Sequence, residues 1–576
     1  MSTNISKEKR DALISKISAI KKYILSHSQD ENALNLLSYT NEIENELRAK
    51  RFGLVFEEHL EKIDEVLSNH LPYLKEEEKL FINNGGEMNF LIEGDNLASL
   101  NLLLKTHKGK IDLIYIDPPY NTGNKDFIYD DNFVDSTDTF RHSKWLSFME
   151  KRLRLARKLL SENGVIFISI DDNEQAELKL LCDSVFGEEN LITVFHWEKT
   201  QHFGRQKINS YSNCEYILAY AKCLVADKIK ELLVERINTE LTDAPLYNAS
   251  NKERTLIFPK NSVKFNIPDG EYNITQSEDY FLVEPVIIKN HKNTNNLILR
   301  FKSRWAQSTV NEEYKKGTSF WVKSKNFAIR TIYHQGKSSN VAPKSIIFTN
   351  NTNPFVTVNR FNEKVGVNEN ASAELESIVK NDQFSYPKPT SLITYLLSLY
   401  YNEFASSFNS SSTVLDFFAG SGTTGHAVLK LNAEDGGKRK FILCTNNENN
   451  IARDVCYERI KRVVSKEKYE ASLKYFKVDY LPISDKLYYE YADELLKHVR
   501  ELVELENGIN FNDNGEIAII LTEDELDEFT KNIPSSCKKI YLGHDVLLSL
   551  DQEQELKKRN ILINIIPDYY YNEESI

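Results

Sequence analysis

The sequence predicts an α/β protein in which an open, parallel sheet is interrupted by a mostly β insert. Strand-like and helix-like segments alternate through residues 83–225 and again through 376–470, which is typical of βαβ units. Over 226–375 this alternation gives way to short β-like stretches separated by polar, Asn-rich turns. The flanking regions at 1–82 and 471–576 have a helical and a mixed α+β pattern. We therefore expect five regions.

The N-terminal region, 1–82, has the periodicity of helices. Apolar residues recur at three- and four-residue spacing in "DALISKISAIKKYIL" and in "NALNLLSYTNEIENELRAKRFGLVFEEHLEKIDEVL", with little Gly or Pro. The sequence "NNGGE" then breaks the pattern. We expect helices up to this break.

The region 83–225 supplies the first half of the predicted sheet. The strands "MNFLIEGDN", "IDLIYID", "VIFISID" and "EYILAYAK" are separated by helical segments. Asp95, Asp117 and Asp171 each follow one of these strands. In parallel sheets the ligand lies at the carboxyl ends of the strands, so these acids mark the expected site.

Charge is unevenly distributed along the chain, whose net charge is −13. Residues 286–364, inside the insert, contain 14 Lys or Arg against 3 Asp or Glu. Residues 485–576 contain 9 Lys or Arg against 21 Asp or Glu. The basic segment can contact phosphates, whereas the acidic tail would repel them and is expected to contact protein.

Composition excludes several other classes of protein. Six cysteines lie far apart without C-x-x-C spacing, which argues against a structural zinc site or a disulfide framework. No apolar run approaches the roughly 20 residues of a membrane span, and the charged N-terminus lacks a secretion signal. We expect a cytoplasmic protein without a metal.

A glycine-rich turn follows the strand at the start of "VLDFFAGSGTTG", residues 414–425. Gly420 and Gly422 allow a tight turn and close approach of a ligand, and the helix that follows offers free amides to an anion. The G-x-G-x-x-G spacing alone is a weak signal, because dinucleotide sites share it. The next strand ends in Thr445-Asn446 without the acid of a dinucleotide site, which counts against that alternative.

The motif "IDPPY" is more specific. Two prolines stiffen the exit from the strand and hold the residue before them extended. Asp117 and the Pro118 carbonyl would then be two fixed acceptors, matched to the two hydrogens of an exocyclic amino group. Pro119 completes the stiff turn, and Tyr120 offers a flat face on which a base can stack.

Together these motifs resemble those of a known family. "DPPYNTG" followed by "FAGSGTTG", with "YPKP" between them, resembles the β-class DNA amino-methyltransferases that use S-adenosylmethionine. "LIEGDNLASL", "IDLIYIDPPYNTGNKDFIYDDNF" and "KRKFILCTNNENNIARDVCYERIKRV" are more closely similar to the modification subunits of type III restriction–modification systems. The resemblance covers most of 50–225 and 375–480 and is weak in 226–370.

The resemblance implies a Rossmann-like methyltransferase sheet with an inserted target-recognition domain, and it implies roles for individual residues. Asp117, Pro118, Pro119 and Tyr120 would hold the target base. Lys388 would lie near the carboxylate of the cofactor and Asp95 near its adenine. The rest of the cofactor site would comprise Asp416, Phe418, Ala419, Gly420, Ser421, Gly422, Thr423 and Asn446. Many relatives have an acid where this chain has Asn446, so the contact with the ribose is open.

The function that the resemblance implies is transfer of a methyl group to N6 of adenine in duplex DNA after base flipping. The DNA would be held by basic residues of the insert, namely Arg300, Lys302, Arg304, Lys323, Lys325 and Arg330, although a solvated basic β-surface would have the same composition. The expected partners are a second copy of the chain and a nuclease–helicase restriction subunit. Three alternatives stay open: N4-cytosine methylation, a non-catalytic DNA-binding specificity subunit, and methylation of RNA or protein.

Overall fold

Two units make up the computed structural model, one comprising Met1–Leu232 with Lys344–Ile576 and the other Leu233–Pro343. The residues that it describes are 5–26, 31–48, 54, 56–123, 126–129, 132–201, 212–224, 233, 235–239, 244–332, 337–349, 356–359, 363–380, 384, 386–400, 412–483 and 488–571.

Helices are found in both units. In chain order they are α1 (Ile5–Ser26), α2 (Glu31–Arg48), α3 (Lys62–Asn69), α4 (Asn96–His107), α5 (Arg141–Leu159), α6 (Gln175–Phe186), α7 (Gln307–Lys315), α8 (Asn368–Val379), α9 (Thr390–Tyr400), α10 (Thr423–Asp435), α11 (Glu458–Glu467), α12 (Tyr488–Leu496), α13 (Val499–Asn507), α14 (Glu523–Lys531), α15 (Leu550–Lys558) and α16 (Asp568–Tyr571).

Strands occur in both units, and those of the first unit lie before and after the second unit in the chain. Before it come β1 (His70–Glu76), β2 (Glu87–Glu93), β3 (Ile111–Ile116), β4 (Ile128–Tyr129), β5 (Asn132–Phe133), β6 (Leu160–Ile170), β7 (Leu191–Glu198) and β8 (Cys214–Ala221). Within it lie β9 (Glu235–Thr239), β10 (Ala244–Pro245), β11 (Glu253–Phe258), β12 (Val263–Phe265), β13 (Gly270–Tyr272), β14 (Tyr280–Leu282), β15 (Val286–Lys289), β16 (Lys292–Asn293), β17 (Leu297–Lys302), β18 (Ser319–Val322), β19 (Ile329–Ile332) and β20 (Lys337–Val341). After it come β21 (Ile346–Ile347), β22 (Thr413–Asp416), β23 (Lys440–Thr445), β24 (Ala471–Pro482), β25 (Ile517–Ile520), β26 (Lys539–Gly543) and β27 (Leu562–Ile566).

A ten-stranded sheet forms the centre of the first unit. Its strand order is β1-β24-β2-β23-β22-β3-β6-β8-β7-β21. The six strands from β24 to β6 run parallel, whereas β1 and β8 pair antiparallel with their neighbours. The predicted α/β class with a mostly β insert is confirmed, but the sheet is mixed and not entirely parallel.

Burial explains why the central strands are nearly continuous apolar runs. Helices pack against both faces of such a sheet, so neither face of a strand meets water. In β3 all residues except Asp112 are buried, and the last seven residues of β6 are buried as well. The apolar core of the first unit is built on these strands.

The prediction of helices up to residue 82 is wrong in two places, because residues 56–61 are not helical and His70–Glu76 form the strand β1. It pairs antiparallel with β24 at the edge of the sheet and buries Pro72 and Leu74 on one face. Proline has no N–H to donate, and it is tolerated there because the outer side of an edge strand needs no hydrogen bond. The partner strand is about 400 residues away in the chain, so no local pattern indicates the pairing.

Most strands of the second unit belong to two sheets. A seven-stranded sheet has the order β10-β19-β18-β12-β16-β15-β13, and a three-stranded sheet has the order β11-β17-β14. Phe258 of β11 and Phe320 of β18 meet edge to face with ring centroids 4.9 Å apart. These rings belong to one apolar core that includes residues of both sheets.

The boundaries of the predicted insert differ from those of this unit. The unit ends at Pro343, whereas the predicted insert extends to 375. The stretch "SIIFT", which the pattern places in the insert, instead forms β21, and β21 pairs in parallel with β7 of the central sheet. Two residues of β structure are too short for the sequence to indicate which sheet they join.

The predicted C-terminal region also begins inside the central sheet. Its expected start is 471, but β24 starts there and pairs with both β1 and β2. Further on, β25, β26 and β27 form a separate parallel sheet with its own apolar core. Lys474 of β24 lies 2.6 Å from Glu504 of α13, and both side chains are buried, so the C-terminal helices are anchored on the central sheet.

Among the residues that the structure describes, no helix combines the length and the apolar character needed to cross a bilayer.

Candidate active site

Two predicted motifs meet where the central sheet changes direction. β3 and β22 are parallel neighbours, with Leu113 opposite Val414. From β3 the chain continues outward to β6, and from β22 it continues the other way to β23. The carboxyl ends at such a switch point diverge and leave a crevice. Asp117 follows β3 and the glycine turn follows β22, so both open on this crevice.

Asp117 is surrounded by donors from its own chain. The Lys388 ammonium donates to both of its oxygens, at Nζ–Oδ1 2.9 Å and Nζ–Oδ2 2.8 Å. The Tyr120 hydroxyl donates to Oδ1 over 2.8 Å. The Asp117 side chain is 26% exposed, whereas that of Lys388 is 7% exposed. The carboxylate therefore faces the crevice while its cationic partner lies behind it.

A second carboxylate, that of Glu215, lies in the same cluster. Glu215 Oε2 accepts from the Tyr120 hydroxyl at 3.2 Å and lies 3.5 Å from Lys388 Nζ. Its other oxygen, Oε1, lies 3.2 Å from the ammonium of Lys199. Burial lowers the pKa of Lys388, but the attraction of Asp117 and Glu215 outweighs it, so the pKa of Lys388 is raised overall. Lys388 is thus held as a cation between two acids.

Sequence reasoning missed Glu215, although a signal was present. β8 runs antiparallel to β6, with Tyr216 opposite Ile170, the last residue of β6. The beginning of an antiparallel strand lies at the edge where its parallel neighbours end. Read as antiparallel, the strand "EYILAYAK" would have placed its leading acid beside Asp117.

The stiff turn after β3 is anchored to α5. The Trp145 indole donates to the Pro119 carbonyl over 2.7 Å, and Trp145 is fully buried. Pro118 is buried as well. Asn121 is buried with a φ of 56°, and its amide donates to the carbonyl of Arg141 over 3.2 Å. These contacts fix the path of the chain on leaving the strand.

Glu174 is a further contact of this turn that sequence reasoning missed. It is fully buried and accepts from the Asn121 amide at 2.5 Å, while His142 Nδ1 lies 2.7 Å from the same oxygen. Burial raises the pKa of Glu174 to about 8. Burial also lowers the pKa of His142, and the charge of Arg141 adds to this.

The glycine turn is shaped by two left-handed residues. Gly420 has a φ of 49° and Gly422 a φ of 75°. A Cβ on Gly420 would lie 3.0 Å from the Phe384 ring, and one on Gly422 would lie 3.0 Å from the Cys456 sulfur. Neither the backbone conformation nor the space admits a larger residue without strain.

Asp416, the last residue of β22, stabilises this turn with its side chain. It is buried, and its carboxylate accepts from the Phe418 amide at 3.0 Å and from the Thr424 hydroxyl at 2.5 Å. Burial raises the pKa of Asp416 to about 7. The Ala419 amide donates to the Cys444 carbonyl on β23 over 3.1 Å, so the turn is tied to the neighbouring strand.

The hydroxyls of the turn point towards Arg459, which sequence reasoning also missed. This fully buried side chain donates from Nη1 to Thr423 at 2.8 Å and to Ser421 at 3.3 Å. Its Nη2 donates to Thr390 at 2.9 Å and to Glu374 at 3.2 Å. The side chains of Ser421 and Thr423 are therefore engaged by Arg459.

The remaining predicted cofactor residues lie at the neighbouring strand ends. Asp95 caps α4, where its side chain accepts from the Leu97 amide at 2.7 Å. Asn446 is exposed just after β23. The nearest acid of the adjoining strand, Glu93, is buried and bonded to Arg453 at 2.8 Å and to Tyr475 at 2.5 Å. Asn446 is the first residue after β23, and Glu448, also exposed, follows two residues later.

The predicted DNA-binding residues all belong to the second unit, on both of its larger sheets. Arg300 and Lys302 lie two residues apart on one exposed face of β17, and Arg304 follows them, also exposed. The remaining three belong to the seven-stranded sheet or its turns: Lys323 and Lys325 are exposed after β18, and Arg330 is half-buried on β19. Lys323 lies 5.1 Å from the centre of the Trp321 ring.

Known proteins share sequence with much of this chain. Residues 111–455 match the family N6_N4_Mtase, described as DNA methylase. The Mod subunit of the type III restriction-modification enzyme StyLTI from Salmonella typhimurium is 33% identical, over 68% of this chain and 59% of its own length. The chain thus spans about three fifths of that subunit.

Two further proteins show the breadth of the similarity. The type II methyltransferase M.KpnI of Klebsiella pneumoniae is 30% identical over 65% of this chain and 84% of its own length. A putative DNA modification methylase of Thermus thermophilus, solved with S-adenosyl-L-methionine, covers 67% of this chain and 97% of its own at 12% identity and a TM-score of 0.31. That superposition adds nothing to the sequence matches.

The resemblance predicted from the motifs is confirmed by these matches. The family match includes both the turn after β3 and the glycine turn after β22. Because it extends over more than half of the chain, this protein belongs to the DNA methylase family.

Proposed function

We propose that the chain is a site-specific DNA methyltransferase that transfers a methyl group from S-adenosyl-L-methionine to N6 of adenine in duplex DNA. One observation carries the proposal: the adjacent strands β3 and β22 end in an acceptor-bearing turn and in a glycine turn. The first can hold an amino group. The second can hold a methyl donor beside it.

The glycine turn fits the proposed cofactor. Gly420 and Gly422 lack a side chain and would let the cofactor come close to the backbone. The helix α10 begins at Thr423, and the free amides at its start favour a carboxylate. The Asp117 carboxylate would favour the positive charge of a sulfonium bound in the crevice. The contacts would come from Asp95, Lys388, Asp416, Phe418, Ala419, Gly420, Ser421, Gly422, Thr423 and Asn446. When bound, the cofactor supplies an electrophilic methyl group.

The turn after β3 prepares the amino group to react. The lone pair of an adenine amino group is delocalised into the ring, which makes the nitrogen a poor nucleophile. Asp117 and the Pro118 carbonyl would accept its two hydrogens, favour a tetrahedral nitrogen and direct its lone pair towards the methyl group. Asp117 then takes the proton that the nitrogen loses. The gain comes from positioning and from preorganised charge.

A base inside a duplex cannot reach this crevice, so the target must be flipped out at a cost of a few kcal/mol. Stacking on Tyr120 would offset about 1–3 kcal/mol of that cost. The Tyr120 hydroxyl is fixed by Asp117 and Glu215, so the orientation of the ring is already set before a base arrives.

The second unit is proposed to hold the DNA. The contacts with phosphate or base edges would come from Arg300, Lys302, Arg304, Lys323, Lys325 and Arg330. Its basic composition and its place as an insert between the two halves of the methylase sequence support this role.

Adenine is preferred over cytosine because an acid stands at position 117, where cytosine enzymes of this kind more often have serine. Both bases present an exocyclic amino group that this geometry can serve. N4-cytosine methylation is therefore the second candidate.

The similarity to the StyLTI Mod subunit supports a role as modification and specificity subunit of a type III restriction–modification system. In that role the chain would act in the cytoplasm as a homodimer and would bind a restriction subunit. The acidic region from 485 onwards is the proposed contact with protein.

The test is methyl transfer from radiolabelled S-adenosylmethionine to duplex DNA, followed by identification of the labelled nucleoside. We expect N6-methyladenine in a single sequence context. Label in N4-methylcytosine would show that the target base is cytosine and not adenine. Label only in RNA or protein, or no label at all, would contradict the proposal.

A further inference from the structure

The acceptors of Asp117 are largely taken before any base arrives. A carboxylate offers about four lone-pair positions. Lys388 uses one on each oxygen and Tyr120 uses a second on Oδ1, so three positions are filled. One position, on Oδ2, remains for the target amino group, so its hydrogen bond to Asp117 would share the carboxylate with three donors of the chain itself.

Glu215 is the one nearby anion, among the described residues, that both competing donors already reach. Its Oε2 lies 3.2 Å from the Tyr120 hydroxyl oxygen, whose single hydrogen has its shorter contact with Asp117, and 3.5 Å from Lys388 Nζ. A small rotation of either side chain would move its hydrogen bond from Asp117 to Glu215. Without this second acceptor, a donor that left Asp117 would be buried without a partner, which is unfavourable.

Glu215 is itself held in place. It is 5% exposed, lies on the central strand β8, and its other oxygen is engaged by Lys199. The cluster thus has two carboxylates and two ammoniums, and its charge is balanced whichever acid Lys388 approaches. Transfer of the donors changes hydrogen bonds and leaves the net charge of the cluster unchanged.

We infer that Glu215 is a positioning residue, which takes over the Tyr120 hydroxyl and the Lys388 ammonium when the target amino group binds Asp117. This inference rests on the proposed methyl transfer. Glu215 touches neither the base nor the methyl group in this scheme. It frees the acceptors of Asp117 while keeping the Tyr120 ring in its stacking orientation.

The substitution Glu215→Gln tests the inference, because glutamine retains the shape of the side chain and loses its charge. We expect the single-turnover rate of methyl transfer to fall about 10- to 100-fold, the range for loss of a hydrogen bond to a charged group. Equilibrium binding of S-adenosylmethionine and of duplex DNA should change less than threefold. Glu215→Asp, which restores the charge, should recover most of the rate.

Glu504→Gln is the matched control. Glu504 is equally buried and is paired with Lys474 at 2.6 Å, far along the chain from the crevice. This variant should lower the melting temperature without lowering the single-turnover rate of the folded protein.

Three outcomes would overturn the inference. Wild-type single-turnover rates in Glu215→Gln would do so, as would losses of DNA and cofactor binding as large as the loss of rate, since these indicate a structural role. Failure of Glu215→Asp to recover any rate would also contradict it. If the wild-type chain itself transfers no methyl group, the proposed function fails and the inference fails with it. In the three outcomes above the wild type is active, so only the inference fails.

Discussion

Asp117 shows how one residue acquires a role from its surroundings. The two prolines hold it extended at the end of β3, and Trp145 and Asn121 anchor the chain that follows. Lys388 keeps a positive charge behind the carboxylate while the front of the side chain stays open. The same carboxylate on a flexible loop would have neither a fixed direction nor a fixed charge environment.

Replacing this acid tests its role. Asp117→Asn should lower the rate of methyl transfer about 10²- to 10⁴-fold, the usual contribution of a positioned proton acceptor. Binding of duplex DNA should persist, because the basic residues of the second unit are unchanged. Asp545→Asn, at an 83% exposed carboxylate, is the control and should leave the rate intact. A fully active Asp117→Asn variant would exclude the proposed role.

The buried Glu174 predicts a pH dependence of stability. Burial raises its pKa from 4.5 to about 8, so between these values the folded chain retains a proton that the unfolded chain has lost. The contribution of this group to the free energy of unfolding should therefore fall as the pH rises from about 5 to 8, by at most about 5 kcal/mol.

Glu174→Gln removes that titration. Denaturant unfolding at pH 5 and pH 8 should show a smaller difference for the variant than for the wild type. Glu188→Gln, at an exposed position just beyond α6, should retain the wild-type difference. Identical pH dependence in wild type and Glu174→Gln would refute the raised pKa.

The glycine turn is the element on which the proposed cofactor site depends. Gly422 combines a left-handed φ of 75° with a Cys456 sulfur 3.0 Å from the position of a Cβ. Gly436, after α10, has a similar φ of 70° but no atom within 4 Å of that position. Comparing an alanine substitution at each position therefore separates the effect of backbone strain from the effect of steric crowding.

Gly422→Ala should cost about 1 kcal/mol of backbone strain and in addition displace the turn. We expect affinity for S-adenosylmethionine, measured by calorimetry, to fall at least about tenfold, which corresponds to 1.4 kcal/mol. Gly436→Ala should destabilise folding by a similar backbone term and bind the cofactor normally. Equal affinities of the two variants would contradict the importance of close packing in the turn.

Sequence reasoning succeeded for elements whose signals are local. The strands before Asp117 and after the insert are short apolar runs bounded by turn residues, and the glycine turn has its own spacing. It failed for β1 and β21, because an edge strand and a two-residue strand are defined by partners far along the chain. Glu174 and Arg459 were missed for the same reason, since each acquires its contacts only through tertiary packing. Glu215 was missed because β8 was read as a parallel strand and not as the antiparallel neighbour of β6.

At the scale of the whole molecule, charge is segregated between regions of the chain. Arg304 and Lys325, both exposed in the second unit, belong to the segment with 14 Lys or Arg against 3 Asp or Glu. The net charge of −13 conceals this segment. An average over the chain is therefore a poor guide to the partners of its parts.

Reversing charge in this segment tests the proposed role in DNA binding. Arg304→Glu with Lys325→Glu should weaken binding to duplex DNA and reduce the slope of log affinity against log salt by about 0.9 for each phosphate that is no longer neutralised. The control reverses Lys557 and Lys558, which are 71% and 79% exposed on α15. An unchanged slope in the first variant would assign DNA binding to other residues.

The adjacency of β3 and β22 also has a consequence for how the protein is made. About 300 residues separate Ile116 from Thr413, and the whole second unit is synthesised between them. At ~5–20 residues per second, β3 leaves the ribosome roughly 15–60 s before its neighbour exists. During that interval its hydrogen-bonding edge lacks its native partner. A chain stopped before residue 413 is therefore expected to aggregate or be degraded, so that half-finished copies add no incomplete enzyme to the cell.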